Sequence, residues 1–192
     1  MNFYLLYGTD TSIIGREIDI IKEKLSISDN DVIYYNIEDI QNVVDEALTI
    51  SMFSANKLIV IDSTIYLSQK KDIENINLLE NYFNNYNSNS YLVFVSNSDT
   101  IDSRKKLVKF INSNGTTKKV EANDEYLSDY VNDYLKKKNY KMSSMDINIF
   151  INRVGNNINN IKKSLINEIK YNWNNKLDDL YETVKIFKKI KN

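Results

Sequence analysis

The sequence predicts an α/β domain with a doubly wound parallel sheet, followed by a smaller all-α domain. Short, uninterrupted apolar stretches alternate with longer segments whose apolar residues recur at helical spacing. Strands that are apolar throughout are typical of parallel sheets covered on both faces. Past residue 123 no such stretch recurs, and the charge balance changes. Residues 1–117 carry ten basic and sixteen acidic side chains, whereas residues 118–192 carry fifteen and ten. We therefore expect two domains, 1–122 and 123–192.

Each element of the first domain follows from its hydrophobic pattern. Phe3–Tyr7 is apolar and is followed by Gly8, as expected of a buried strand that ends in a tight turn. Apolar stretches predict further strands at 32–35, 57–61 and 91–95, and 117–120 is a candidate for a fifth and last strand. Helical spacing predicts the helices 12–25, 37–48, 73–86 and 104–111. Right-handed crossovers through these helices would place them on both faces of the sheet.

The second domain shows only helical periodicity. Apolar residues recur at helical spacing over 124–138, 144–154, 157–171 and 177–190. Asp124 and Ser144 have the side chains that cap helix N-termini, and Gly155 is the residue type that ends helices. We expect a small helical domain with these caps.

Composition excludes several classes of protein. The chain has 192 residues, 42% of them hydrophobic, which is enough to fill a core. It has no cysteine, so disulfides and zinc–thiolate sites are excluded, and no histidine, so Ser-His-Asp and Cys-His catalysis are excluded. No apolar run approaches the roughly 20 residues of a membrane helix, and the N-terminus lacks a basic leader. We expect a cytoplasmic protein without membrane contact.

The turn after the first strand lacks the residues that bind nucleotide phosphates. A phosphate loop needs Gly-x4-Gly-Lys-Ser/Thr, whose N–H groups and lysine hold the phosphates. Here Gly8 and Gly15 are too far apart, Ile13 and Ile14 replace the second glycine and the lysine, and Asp10 adds negative charge. Asp62 ends a strand where ATPases hold magnesium, but Ser63 follows it instead of an activating glutamate, so we expect a structural or capping role. Asn97 is expected to be a turn residue. We predict no catalytic, cofactor-binding or metal-binding residues.

Four stretches together resemble the delta subunit of the bacterial DNA polymerase III clamp loader, over residues 2–171. They are the opening strand and turn Phe3–Asp10, the segment 49–54 with its following strand 57–61, the Asp-x-Arg-Lys-Lys-Leu-x-Lys helix of 102–109, and the Gly-Asn motif at Gly155 with the helix after it. The order and spacing of the four stretches carry the resemblance.

The resemblance implies a fold and a function. The fold is an AAA+-like core, a degenerate P-loop NTPase sheet of five strands, followed by a helical lid. The implied function is that of a non-catalytic subunit that binds the sliding clamp (the beta subunit) and opens its ring for loading on primed DNA. The residues that match the clamp-binding element are Ser51, Met52 and Phe53, together with Ile50. Considered alone, Met52 and Phe53 at a helix–strand junction are expected to pack back into the local core, and the resemblance instead favours their exposure.

Two basic stretches could contact nucleic acid or a partner. They are Arg104, Lys105, Lys106 and Lys109, and Lys136, Lys137, Lys138 and Lys141. Either stretch could attract phosphate, although a solvated helix face has the same pattern. No ladder of aromatic residues accompanies them, so a stacking platform for single strands is not supported.

The family also has a helical collar domain, through which delta joins the delta-prime and tau/gamma subunits. Because the chain stops at residue 192, we expect no complete collar. Two other functions stay open from the sequence. One is a nucleic-acid-binding protein that uses the basic helical half, and the other is an atypical AAA+ ATPase.

Overall fold

The computed structural model describes residues 2–50, 55–68 and 72–169. The chain divides into two units, Met1–Glu121 and Ala122–Asn192. The described residues of the first unit form five strands and five α-helices. They are β1 (Phe3–Tyr7), α1 (Thr11–Lys24), β2 (Val32–Asn36), α2 (Ile40–Leu48), β3 (Lys57–Asp62), α3 (Thr64–Ser68), α4 (Asn77–Asn84), β4 (Ser90–Ser96), α5 (Lys106–Asn114) and β5 (Thr116–Lys119).

The five strands form one parallel sheet in the order β2-β3-β4-β1-β5. Strand β1 therefore lies between β4 and β5. After β1 the chain forms the edge strand β2, then β3 and β4 beside it, and finally β5 at the other edge. Parallel pairing needs a crossover between strands, which explains why helices intervene. The parallel sheet predicted from the apolar strands is confirmed.

One face of the sheet carries the main core of this unit. Phe3, Leu5, Ile59, Leu92 and Phe94 point to this face and pack with buried residues of α2, α3, α4 and α5. The ring of Phe3 makes edge contacts with four other rings, those of Tyr82, Phe83, Tyr86 and Phe110. Helix α1 buries Ile13, Ile14 and Ile18.

The second unit contains α6 (Asp124–Lys137), α7 (Ser144–Val154) and a helix over 158–169, here α8. Their apolar faces pack together through buried residues such as Leu127, Phe150 and Ile161. Gly155 ends α7 with φ +89°, a conformation that favours glycine, so its predicted role is confirmed.

Some boundaries differ from the sequence prediction. The N-caps of α6 and α7 are Asn123 and Ser143, one residue before the predicted Asp124 and Ser144, because Asn123 and Ser143 accept hydrogen bonds from the first-turn N–H groups. The helix predicted over 73–86 is shorter and starts at Asn77, and α3 was not predicted. The predicted helix 177–190 lies outside the described residues.

Candidate functional site

The turn between β1 and α1 is closed by its own carboxylate. Asp10 is the N-cap of α1, and its Oδ1 accepts hydrogen bonds from the N–H groups of Ser12 (2.9 Å) and Ile13 (3.3 Å) and from the Ser12 hydroxyl (2.5 Å). A helix N-terminus can hold a phosphate because its first N–H groups have no partner inside the helix. Here Asp10 occupies these donors, so they are not free for an anion.

Packing around the same turn also opposes a phosphate loop. Ile13 and Ile14, which stand where a phosphate loop has its glycine and lysine, are buried. Gly8 lies against the end of the sheet, where its N–H donates to the Ser96 carbonyl at 3.1 Å. A Cβ at Gly8 would come within 2.3 Å of the Val120 carbonyl oxygen. The glycine therefore serves close backbone packing, which is a role unrelated to phosphate binding.

The predicted capping role of Asp62 is confirmed. Its Oδ1 accepts hydrogen bonds from the Thr64 N–H at 3.0 Å and from the Thr64 hydroxyl at 2.7 Å, at the start of α3. Thr64 Oγ1 in turn accepts from the Asn97 N–H at 2.9 Å. The carboxylate and Asn97 thus join the ends of β3 and β4, and Asn97 lies directly after β4, outside any helix, strand or turn. Among residues 2–50, 55–68 and 72–169, no group of three acidic side chains could hold a metal.

We expect Asp10→Ala to destabilise the first unit without creating a nucleotide site. Loss of an N-cap costs about 0.5–2 kcal/mol, and the freed N–H groups still lack the lysine and the glycine of a phosphate loop. Urea unfolding followed by circular dichroism measures the first effect, and calorimetric titration with ATP–Mg²⁺ measures the second. Asp10→Asn, which keeps a capping oxygen, should lose less stability. Saturable ATP binding by Asp10→Ala would contradict our interpretation of the turn.

The predicted clamp-binding segment begins where α2 ends. The helix ends at Leu48, and the N–H of Thr49 donates to the carbonyls of Asp45 and Glu46. Ile50 follows with 79% of its surface exposed, and Leu48 is half-exposed. Exposure of Ile50 means that it does not close the core face of α2. Ser51, Met52 and Phe53 lie outside the described residues, and their role stays a prediction.

A buried lysine joins the two ends of this segment. The Nζ of Lys57, the first residue of β3, donates to Glu46 Oε1 at 2.7 Å and to the Glu46 carbonyl oxygen in the last turn of α2. The side chain of Lys57 is 7% exposed and that of Glu46 is 28% exposed. A cation at a helix C-terminus is also favoured by the helix dipole. Lys57 therefore holds the end of α2 to the start of β3.

Two further hydrogen bonds reinforce this connection. The buried Ser90 hydroxyl donates to the Ala47 carbonyl at 2.7 Å, and the Asn89 side chain donates to the Ala55 carbonyl at 2.6 Å. We call Lys57, Glu46, Ser90 and Asn89 the clasp. Because the clasp lies at the starts of β3 and β4, the described residues on either side of this segment, Ile50 and Ala55, lie at the amino edge of the sheet. The turn after β1 lies at the opposite, carboxyl edge.

Sequence reasoning missed the clasp. One signal was available, because Lys57 is a charged residue at the head of an otherwise apolar strand. A buried lysine needs a partner, but the sequence does not say which carboxylate supplies it.

The first basic stretch is largely engaged within the chain. Arg104 forms a bidentate pair with Asp102, with both N–O distances 2.9 Å, and this guanidinium holds the pKa of Asp102 well below its usual range. Lys105 is 13% exposed, with its Nζ 4.0 Å above the centre of the Tyr66 ring. Lys106 pairs with Glu80 at 3.1 Å. Lys109 is exposed, and its ammonium group has no ion pair or hydrogen bond within the described part of the chain.

The second basic stretch lies at the end of α6. Lys136 and Lys137 occupy its last turn, where cations are favoured by the helix dipole. Asn139 has φ 61°, and the Tyr140 N–H donates to the Leu135 carbonyl at 2.9 Å, which ends the helix. Helix termination thus accounts for part of this charge pattern.

No helix within the described ranges is long and apolar enough to cross a membrane.

Comparison with known proteins places these observations in context. A sequence model of the family "DNA polymerase III, delta subunit" matches residues 4–121. The Bacillus subtilis DNA clamp loader delta protein (YqeN) is similar in structure, with a TM-score of 0.70 and 17% identity over 89% of this chain and 53% of that protein. The chain therefore spans about half the length of that protein. This similarity confirms the predicted AAA+-like fold with a helical part after it.

More distant structural matches exist among other replication proteins. A DNA polymerase III gamma subunit-related protein of Thermotoga maritima has a TM-score of 0.45 and 14% identity, over 77% of this chain and 53% of that one. Domain III of the T. maritima replication initiation protein DnaA has a TM-score of 0.42 and 15% identity, over 91% and 78%. No curated protein matches the chain at a significant level.

Proposed function

The chain belongs to the DNA polymerase III delta subunit family, and from this premise we propose that it is a non-catalytic clamp-loader subunit. It binds the sliding clamp through Ile50, Ser51, Met52 and Phe53, and opens the clamp ring for loading on primed DNA. The observation that carries the proposal is the exposure of Ile50 at a helix end that the clasp fixes to the sheet. Met and Phe beside an exposed isoleucine make an apolar anchor suited to a groove in another protein.

The carboxyl edge of the sheet supports the absence of ATPase activity. Asp10 occupies the N–H donors of α1, and Asp62 caps α3. Both groups therefore have structural roles where an ATPase has phosphate and magnesium ligands. The energy from ATP would come from partner subunits of the tau/gamma type, which delta and delta-prime join through a collar domain. In this proposal, residues 1–122 carry the clamp-binding element and residues 123–192 form the lid.

Ring opening requires more than tight binding. A ligand shifts a conformational equilibrium only by its difference in affinity for the two states. The chain must therefore fit the open clamp better than the closed clamp. The apolar anchor would supply affinity, and contacts beside it would supply this preference.

Two calorimetric titrations of the full chain test the proposal. We expect saturable binding of the sliding clamp from the same organism and no saturable binding of ATP–Mg²⁺. Binding of ATP–Mg²⁺ would favour an atypical ATPase. Strongly salt-dependent binding of primed DNA without clamp affinity would favour the nucleic-acid-binding alternative. Lys109→Ala tests whether the first basic stretch contacts DNA, because loss of a phosphate contact would reduce the salt dependence of DNA binding and should leave clamp binding unchanged.

A further inference from the structure

A groove runs between α1 and the edge strand β2, at the carboxyl edge of the sheet. Its volume is about 430 Å³. Its floor is apolar and is formed by Ile14 and Ile18 of α1 with Val60 and Val95 of β3 and β4. The groove has no part in the proposed clamp contact, which lies at the opposite edge.

Tyr34 forms the outer wall of this groove. The register pairs Tyr34 with Val60, so both side chains point to the same face of the sheet. Val60 is 4% exposed, whereas Tyr34 is 67% exposed. A large aromatic ring on an edge strand with this exposure offers a flat surface to a ligand.

On the opposite side of the groove, Gly15 of α1 has no side chain that could extend into it. It lies inside α1, where glycine is less favourable than alanine because it loses more backbone entropy on folding. A Cβ at Gly15 would meet no atom within 4 Å. Packing therefore does not require a glycine here. Its effect is to leave the groove open along the helix.

The rim of the groove is acidic. Asp39 and Asp62 lie on it, and no lysine or arginine is among the described residues that line it. Asp39 is the N-cap of α2, yet its side chain accepts no capping hydrogen bond. Asp62 uses Oδ1 for its cap and keeps Oδ2 for another partner. Phosphates would be repelled here, while a cation would be attracted.

We propose that this groove binds an arginine-bearing segment of a partner protein. The aliphatic part of an arginine side chain would lie on Val60 and Val95. Its planar guanidinium would stack on Tyr34 and pair with Asp39 and Asp62, which matches the fork geometry of arginine better than the point charge of lysine. The volume leaves room for the apolar neighbours of that arginine.

A peptide titration monitored by NMR tests this proposal on the ¹⁵N-labelled full chain. The probe is acetyl-Leu-Arg-Leu-amide, and its control is the same peptide with citrulline, which has the shape of arginine without the charge. We expect saturable shifts in α1, β2 and the end of β3, with the citrulline peptide weaker by about threefold or more, the discrimination expected of a partly exposed ion pair. Asp39→Asn should weaken the arginine peptide to a similar degree.

Gly15→Leu should abolish the shifts by filling the groove, and the open space at its Cβ predicts an intact fold. Asp45→Asn, on the exposed face of α2, is the control of equal charge and should bind as the parent does. Equal binding of both peptides, shifts outside the groove, or no saturable shifts would each overturn the proposal. Shifts in the groove caused by ATP–Mg²⁺ would overturn it as well, since they would assign the groove to a nucleotide.

Discussion

Phe53→Ala is expected to abolish clamp binding while leaving the fold intact. Truncation of a central aromatic anchor typically costs about 2–4 kcal/mol, which corresponds to a loss of affinity of roughly 30- to 800-fold. The reason is that phenylalanine buries a large apolar area and loses few rotamers on binding. The exposed neighbour Ile50 shows that the chain is already on the surface three residues before Phe53.

Calorimetric titration of the parent and the variant with the clamp measures this loss, and urea unfolding verifies the fold. Met52→Ala should weaken binding as well, because methionine adapts to an irregular pocket. Met145→Ala is the matched control, since Met145 is 74% exposed on α7 of the second unit and should not affect clamp affinity. Unchanged affinity of Phe53→Ala would refute the assignment of the clamp contact to this segment.

The strands were the most predictable part of this fold. The central strands β1, β3 and β4 are largely buried on both faces, so their apolar runs are continuous and are bounded by turn residues. The edge strand β5 is polar and largely exposed, so the apolar pattern does not identify it. Strand β3 (Lys57–Asp62) is one residue longer at its end than predicted. Strand β4 (Ser90–Ser96) is one residue longer than predicted at each end. The additional residues are polar, and their hydrogen bonds are not encoded in the apolar pattern: the side chains of Asp62 and Ser90 bond to Thr64 and Ala47, and the Ser96 carbonyl accepts from the Gly8 N–H.

The short helices were less predictable for a physical reason. Helix α3 has five residues, which are too few to show a helical period. It begins where the Asp62 carboxylate accepts a hydrogen bond from the Thr64 N–H, which is a local interaction. Apolar residues at helical spacing predict that Ile73 lies in a helix. It is buried in the core, but it lies before α4 begins at Asn77. Apolar spacing thus identified core residues correctly and placed the helix start too early.

The clasp illustrates what the sequence alone does not specify. Lys57 and Glu46 are eleven positions apart, and Ser90 bonds to a carbonyl 43 positions away. These pairs exist because α2 returns the chain to the amino edge, where β3 and β4 start side by side. Their positions depend on topology, which the hydrophobic pattern predicts, and on the reach of individual side chains, which it does not.

Lys57→Met is the second variant with a large expected effect. Methionine keeps most of the buried stem but removes the ammonium, which leaves the largely buried Glu46 carboxylate and the end of α2 without their cation. Breaking a buried pair in this way costs about 3–5 kcal/mol of unfolding free energy, and we expect a loss at or below the lower end of this range because Glu46 is partly solvated. The same loss frees the two ends of the clamp-binding segment, Ile50 and Ala55, so we also expect clamp affinity to fall about tenfold, because these ends must then be ordered on binding.

Two controls separate stability from positioning. Lys109→Met removes an exposed lysine of α5 and should change neither stability nor clamp affinity. The double variant Glu46→Gln with Lys57→Met removes the uncompensated charge, so it should recover part of the stability lost by Lys57→Met but remain weak in clamp binding, since the ammonium that joins α2 to β3 is still missing. If Lys57→Met loses stability and keeps full clamp affinity while Phe53→Ala loses affinity, the clasp stabilises the fold without positioning the clamp-binding segment.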